Sequence, residues 1–101
     1  MNNINWNKVI IEFIGTFVFL TVIMNMAMKN NGGIMTPLGI GLALTVAIFM
    51  FAPMGDCHFN PAVSFMGWCT GSLAGSVLAV YIIAQLAGAG AAWGLNRYLS
   101  A

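Results

Sequence analysis

Long apolar stretches separated by short polar ones run through this sequence, and they predict a bundle of membrane-spanning helices. The apolar stretches cover residues 9–28, 34–53 and 73–95. Each holds roughly 20 residues, and a helix of that length rises about 30 Å, which matches the hydrocarbon core of a bilayer. Residues 29–33 between the first two stretches are polar and glycine-rich, as in a turn. The pattern therefore predicts three transmembrane helices, with Trp6 as an interfacial anchor before the first.

The segment between the second and third stretches, residues 54–71, fits neither a span nor an exposed loop. It begins with an irregular and partly polar run, after which Asn60 and Pro61 form the typical start of a helix. Asparagine caps the free N–H groups there, and proline suits the first helical position. A helix over residues 61–70 is about 15 Å long, roughly half the hydrocarbon core. The segment is therefore predicted to be a re-entrant loop followed by a half-helix.

The composition agrees with a lipid-facing surface. Hydrophobic residues make up 60% of the 101 residues and charged residues only 5%, whereas soluble domains carry about 25% charged residues. A net charge of +1 gives no basic field for nucleic acid. We therefore expect an all-α integral membrane protein, with residues 1–101 forming one unit whose principal partner is the bilayer.

A metal or catalytic site has little support in the sequence. The run Asp56-Cys57-His58 contains three potential ligands or nucleophiles, but no further ligand lies near it in the sequence. We expect no metal, no cofactor and no enzymatic activity.

Three motifs, in order and over nearly the whole chain, resemble those of one family. Residues 58–64 read His-Phe-Asn-Pro-Ala-Val-Ser, residues 12–16 read Glu-Phe-Ile-Gly-Thr, and residues 81–89 read Tyr-Ile-Ile-Ala-Gln-Leu-Ala-Gly-Ala. They resemble, respectively, the first Asn-Pro-Ala signature, the first-helix motif and the third-helix motif of the major intrinsic protein family, the aquaporins and glycerol facilitators. The resemblance implies passive conduction of water or small uncharged solutes such as glycerol.

The resemblance also implies that this sequence corresponds to half of a pore. Family members resemble two inverted three-helix halves, and this chain matches one half-repeat of the first type. Two copies could rebuild the pore as an antiparallel homodimer if they insert in opposite orientations. The cationic bias that sets orientation is weak, since Lys8 lies on one side and Lys29 and Arg97 on the other. Family pores cluster as tetramers, which suggests a tetramer of dimers.

The Asn-Pro-Ala triplet, Asn60, Pro61 and Ala62, is the predicted pore motif. A half-helix starting at Pro61 directs the positive end of its dipole at the bilayer midplane. The Asn60 oxygen caps that end, while its amide nitrogen stays available to a passing water or hydroxyl. In an antiparallel pair the Asn60 residues of both copies would meet at the midplane.

Glu12, His58 and Gln85 are the predicted supports of the loop. A carboxylate inside a span costs about 2.5–3.5 kcal/mol on insertion scales, so Glu12 needs a partner. The resemblance implies that Glu12 and Gln85 brace the backbone of the re-entrant loop and that His58 stabilises it. The alternatives are that Glu12 carries protons or that His58 gates the loop by protonation.

The sequence departs from the family at positions that set selectivity. Complete members carry an arginine three residues after the second-half asparagine, whereas Val63 stands there in this chain. Asp56 occupies a place where the family generally has a small residue. An ungapped alignment puts Ile40, Ile48 and Cys57 near constriction positions together with Val63. The choice between water, glycerol and another solute is therefore open.

Two other functions are compatible with parts of the sequence. One is a non-conducting accessory or remnant half-channel that needs a complete partner chain. The other is a small dual-topology exporter coupled to protons through Glu12, although such exporters have four spans and lack the Asn-Pro-Ala motif.

Overall fold

Four α-helices form the fold. The computed structural model describes residues 4–27 and 33–100, with the helices α1 (Trp6–Ala27), α2 (Met35–Phe51), α3 (Pro61–Cys69) and α4 (Gly75–Ser100). No strand occurs in these two ranges, so the predicted all-α class is confirmed.

The bundle is organised around α1, which packs against both α2 and α4, while α3 packs against α4. Helices α1 and α4 run parallel, because Glu12 bonds Gln85 near one end and Asn25 bonds Asn96 near the other. The molecule measures 47 × 27 × 22 Å, so its long axis exceeds the thickness of a hydrocarbon core.

Among the helices that the structure describes, two are long and apolar enough to cross a membrane by length and composition, namely α1 with 22 residues and α4 with 26 residues. Helix α2 has 17 residues, fewer than the predicted stretch 34–53, and would rise about 26 Å. The short helix α3 has nine residues and ends one residue before the predicted position.

The predicted end of the last helix was wrong. Helix α4 continues to Ser100, whereas the polar residues Asn96 and Arg97 predict an end at residue 95. Asn96 is 6% exposed, and its side chain bonds the Ala92 carbonyl and the Asn25 amide. A polar side chain that is satisfied inside the bundle does not end a helix. The first helix begins at Trp6, three residues early, and residues 28–32, with the predicted turn, lie outside the described residues.

The contact between α1 and α4 depends on a small residue at position 88. A Cβ added to Gly88 would lie 2.6 Å from the Phe13 carbonyl oxygen and 3.2 Å from the Phe17 nitrogen. Both atoms belong to the α1 backbone and cannot rotate away. Gly88 therefore sets how closely the two helices approach, as small residues do in membrane bundles.

We expect Gly88→Ala to destabilise the bundle by about 1–3 kcal/mol, the usual cost of overpacking a core. Gly90→Ala is the matched control, because a Cβ at Gly90 meets nothing within 4 Å on the same helix. Thermal unfolding in detergent, followed by circular dichroism, measures the difference. Equal melting temperatures for the two variants would contradict this account of the helix contact.

Candidate functional site

The loop that leads into α3 has an unusual backbone. Cys57 and Phe59 have positive φ angles of 56° and 55°, a left-handed conformation that few side chains other than glycine adopt. Such residues persist only where their surroundings fix them. The contacts of this loop therefore decide its shape.

Glu12 supplies those contacts from inside α1. Its Oε2 accepts the His58 N–H at 3.0 Å, and its Oε1 accepts the Phe59 N–H at 2.8 Å. The carboxylate is 0% exposed and takes a third hydrogen bond from Gln85 Nε2 at 3.0 Å. Three donors on one buried carboxylate compensate for its lost hydration.

These two hydrogen bonds also orient the loop carbonyls. In a trans peptide the N–H and the preceding C=O point in opposite directions. Because the His58 and Phe59 N–H groups face Glu12, the carbonyls of Cys57 and His58 point away from it. Neither carbonyl accepts a hydrogen bond within the described ranges. The loop thus presents two free acceptors in a row.

Ser64 closes the network from the half-helix. Its Oγ lies 2.8 Å from Gln85 Nε2 and 2.8 Å from His58 Nδ1. Gln85 donates to this oxygen, and the Ser64 hydroxyl either donates to Nδ1 or accepts from it, depending on the histidine tautomer. The structure therefore brings together all three predicted supports, Glu12, His58 and Gln85, with Ser64 as a fourth member that the sequence analysis did not identify.

Phe59 is anchored by a glycine in α1. Its ring is 2% exposed, and a Cβ on Gly15 would lie 2.0 Å from a ring carbon. No side chain larger than hydrogen fits at position 15 without moving the ring. The glycine of the first-helix motif therefore makes room for the loop that Glu12 binds.

Asn60 caps α3 as the sequence predicts for a helix start. Its Oδ1 accepts the Ala62 N–H at 2.8 Å, and Pro61 occupies the first helical turn. The backbone of Asn60 is extended, with φ −161° and ψ 124°. The Asn60 side chain is exposed, and its amide nitrogen has no hydrogen-bond partner in residues 4–27 and 33–100. That nitrogen is a free donor at the tip of the half-helix.

A cavity of about 410 Å³ lies beside this tip. Two buried polar atoms border the region without a partner in the described structure, Thr16 Oγ1 and Gln85 Oε1. Thr16 lies 10 residues into α1, which corresponds to roughly 15 Å from the helix start, or half a hydrocarbon core. The lining comes from α1, α4 and the start of α3: Thr16, Phe19, Leu20, Ile23, Phe59, Asn60, Pro61, Gln85, Leu86 and Ala89.

Asp56 forms a separate polar cluster nearer the start of α1. It accepts a hydrogen bond from the Tyr81 hydroxyl, and Lys8 Nζ lies 3.5 Å from its other oxygen. The Lys8 and Asp56 side chains are 39% and 35% exposed, so this cluster lies at the edge of the bundle. The Asp56 carboxylate is thus tied to both long helices.

The four candidate constriction residues differ in burial. Cys57 is 8% exposed and packs in a cluster with Ile11, Ala47 and Phe59. Ile48 and Val63 are 38% and 36% exposed. Ile40 is half-buried on α2.

No group of three or more histidine, cysteine or acidic side chains suited to a metal ion occurs in the part of the chain that the structure describes. The polar contact of Cys57 Sγ in the described residues is a weak one with the Gly55 carbonyl, at 3.7 Å. Asp56 and His58 instead both contact Tyr81, Asp56 through a hydrogen bond and His58 through an edge-to-face ring contact, while Cys57 packs among apolar side chains.

We expect Glu12→Ala to lower the stability and the assembly of the protein more than it changes its selectivity. The substitution leaves two loop N–H groups buried without an acceptor, and each costs about 1–3 kcal/mol. The stability of Glu12→Gln should lie between that of Glu12→Ala and that of the unmodified protein. Its amide oxygen can still accept one loop N–H, whereas its NH₂ group presents a donor to the His58 N–H. Chemical unfolding in detergent and size-exclusion chromatography measure the effect. Thr21→Ala is the control, because its hydroxyl bonds only the Phe17 carbonyl of the same helix, and equal losses in both variants would contradict the bracing role.

Comparison with known proteins gives a consistent result. A family model described as Major intrinsic protein matches residues 1–100. The glycerol uptake facilitator protein of Streptococcus pneumoniae (strain ATCC BAA-255 / R6) is 30% identical over 92 residues, which cover 82% of this chain and 39% of that protein. Aquaporin AqpM of Methanothermobacter marburgensis is 28% identical, over 81% of this chain and 43% of its own length. The propanediol uptake facilitator PduF of Citrobacter freundii is 31% identical, over 88% of this chain and 35% of its own length.

The chain spans about two fifths of the length of these curated relatives, between 35% and 43%. No solved structure gives a significant match. The family match covers the Glu12-braced loop, the Asn60 cap and both long apolar helices. The chain therefore belongs to the major intrinsic protein family and is an integral membrane protein.

Proposed function

We propose that this chain forms half of a passive channel for water or small uncharged solutes such as glycerol, and that a second copy in the opposite orientation completes the pore. In this arrangement α1, α2 and α4 are the three spans, and α3 is the re-entrant half-helix. The protein would act by conduction alone, without catalysis. Four such pairs would give a tetramer of dimers.

The observation that carries this proposal is the polar edge of the re-entrant loop. The Cys57 and His58 carbonyls and the Asn60 amide nitrogen have no partner in the described structure, and they follow one another along the chain. Unpaired backbone carbonyls cost several kcal/mol each in lipid. A water-filled lumen removes that cost, and the same groups then offer a permeating hydroxyl two acceptors and a donor.

The cavity beside Asn60 favours a second half-repeat as the remaining side of the pore. Thr16 Oγ1 and Gln85 Oε1 are buried there without partners among the described residues, which is rare for polar atoms in a complete protein interior. The half-helix has nine residues and rises about 13.5 Å, so two of them tip to tip span about 27 Å. That sum is close to the hydrocarbon thickness of about 30 Å. Only an inverted second copy brings the two Asn60 tips together.

The names of the relatives support the solute class. They include a glycerol uptake facilitator, an aquaporin and a propanediol uptake facilitator, whose solutes are small and uncharged. Val63 places no cation beside the half-helix, so both mouths of the pair would lack the arginine of complete family members.

The proton-coupled exporter is a weaker reading of Glu12. A proton carrier must exchange protons with the aqueous phase, whereas this carboxylate is 0% exposed. Its two oxygens already accept three hydrogen bonds from the loop and Gln85. Protonation would break contacts that fix the loop. Glu12 is therefore assigned as a brace.

Asn60→Asp should lower water flux and weaken the exclusion of cations, because it adds an anion at the positive end of the half-helix dipole. Stopped-flow shrinkage and proton leak of proteoliposomes measure both effects. Asn5→Asp is a matched control, since Asn5 also accepts backbone N–H groups at a helix start, at 3.1 and 3.3 Å, but at the outer end of α1. Wild-type water permeability and proton leak in Asn60→Asp would refute the role of this residue.

The orientation of the copies is testable with added lysines. Ile4→Lys with Asn7→Lys should fix one orientation next to Lys8, because lysine and arginine near span ends set topology. That variant should lose flux, since parallel copies cannot bring their half-helices together. A second variant with Tyr98→Lys and Leu99→Lys, fixed the other way, should restore flux when the two are mixed.

Labelling of cysteine tags at both termini, in a Cys69→Ser background, reports the orientation in sealed vesicles. Tags on the unmodified chain should be labelled from both sides. Equal conduction by copies that share one orientation would contradict the antiparallel pair. A mixture that assembles in both orientations yet conducts nothing would favour the accessory half-channel instead.

A further inference from the structure

The charged side chains are distributed unequally between the two ends of the bundle. The sequence has only two acidic residues, and both lie toward the Lys8 end. Glu12 is occupied by the loop and Gln85. Asp56 is occupied by Lys8 and Tyr81. No carboxylate side chain remains for a cation at the other end.

Arg97 lies at that other end. It follows Tyr81 by 16 positions on α4, which is roughly 24 Å along the helix axis. Its side chain is exposed and sits over the Trp93 ring, with Cζ 5.5 Å from the ring centroid. In the described residues it has no acidic partner. The exposed guanidinium is thus accessible to an anion at the membrane surface.

The surroundings of Arg97 identify the source of that anion. Trp93 is 57% exposed and Tyr98 is 79% exposed, and together with Arg97 we name them the Arg97 patch. Exposed tryptophan and tyrosine near the end of a span lie at the level of lipid headgroups. Helix α4 has 26 residues and would rise about 39 Å, more than a hydrocarbon core, so its last turns reach the interface.

We propose that the Arg97 patch binds the phosphate of an anionic phospholipid. The planar guanidinium can donate two parallel hydrogen bonds to phosphate oxygens, and stacking on Trp93 fixes its orientation before the lipid arrives. A bilayer presents the phosphate at this depth, whereas the attraction of free phosphate to the exposed Arg97 guanidinium is screened by salt. Anionic headgroups are favoured over zwitterionic ones because no neighbouring ammonium competes for the phosphate.

An acid from a second copy is a less suitable partner. In an antiparallel pair, Asp56 of the second copy would reach the same membrane face as Arg97. That carboxylate, however, already accepts from its own Tyr81 and pairs with its own Lys8, as in the chain described here. Lipid phosphate carries no such prior partner.

Tryptophan quenching tests the proposal independently of flux. Trp6→Phe with Trp68→Phe leaves Trp93 as the reporter, and the protein is placed in phosphatidylcholine vesicles. Brominated phosphatidylglycerol should quench Trp93 more strongly than brominated phosphatidylcholine at the same mole fraction. Arg97→Gln should remove that preference, a loss of about fivefold for one cation near the surface. Arg97→Lys should keep part of the preference, because lysine retains the positive charge but lacks the paired donors of the planar guanidinium.

Lys8→Gln is the control, because it removes one charge at the opposite end and should leave the preference unchanged. Equal quenching by the two lipids, or equal loss in Lys8→Gln and Arg97→Gln, would overturn the proposal. Competition by added inorganic phosphate would assign the site to a free anion, and a change in the preference on Asp56→Asn would assign it to a second copy; either result overturns the lipid assignment.

Discussion

The structure depends on one buried carboxylate that binds two consecutive backbone N–H groups. Glu12 reaches from α1 to His58 and Phe59, and this contact determines which way the peptides of the loop face. Each of those peptides has an N–H group on one side and a carbonyl on the other, and only one of the two can face α1. Because the donors point toward Glu12, the acceptors point away. A charge that is unfavourable inside a span thereby becomes the feature that arranges a row of neutral acceptors beside it.

That contact is possible only because the helices and the loop come unusually close. Gly15 leaves room for the Phe59 ring, and Gly88 lets α4 approach the α1 backbone. The approach of α4 brings Gln85 within reach of both Glu12 and Ser64. The hydrogen bonds of the buried carboxylate therefore depend on these two small residues. A larger residue at either glycine would separate the groups that satisfy the carboxylate.

Local patterns predicted the parts of this site that depend on neighbours in sequence. Asn60 and Pro61 predict the start of α3, because helix capping involves residues only two or three positions apart. The long-range part was only partly accessible. Ser64 of α3 pairs with Gln85 of α4, and Asp56 of the loop pairs with Tyr81 of α4, and no spacing rule predicts such contacts. The end of α4 was misjudged for the same reason. Asn96 is polar, but its partner Asn25 is 71 residues away in sequence.

The uneven distribution of charge also bears on how two copies would share a membrane. In one chain the acidic residues and Lys8 lie toward one face and Arg97 toward the other. A parallel pair would place both Arg97 residues in one leaflet and both Asp56 clusters in the opposite one. An inverted pair gives each leaflet one Arg97 patch and one Asp56 cluster, so the two faces become electrostatically equivalent. The proposed pore would then have identical mouths, and the proposed lipid contact would occur in both leaflets, which is the symmetry expected of a passive channel built from two copies of one sequence.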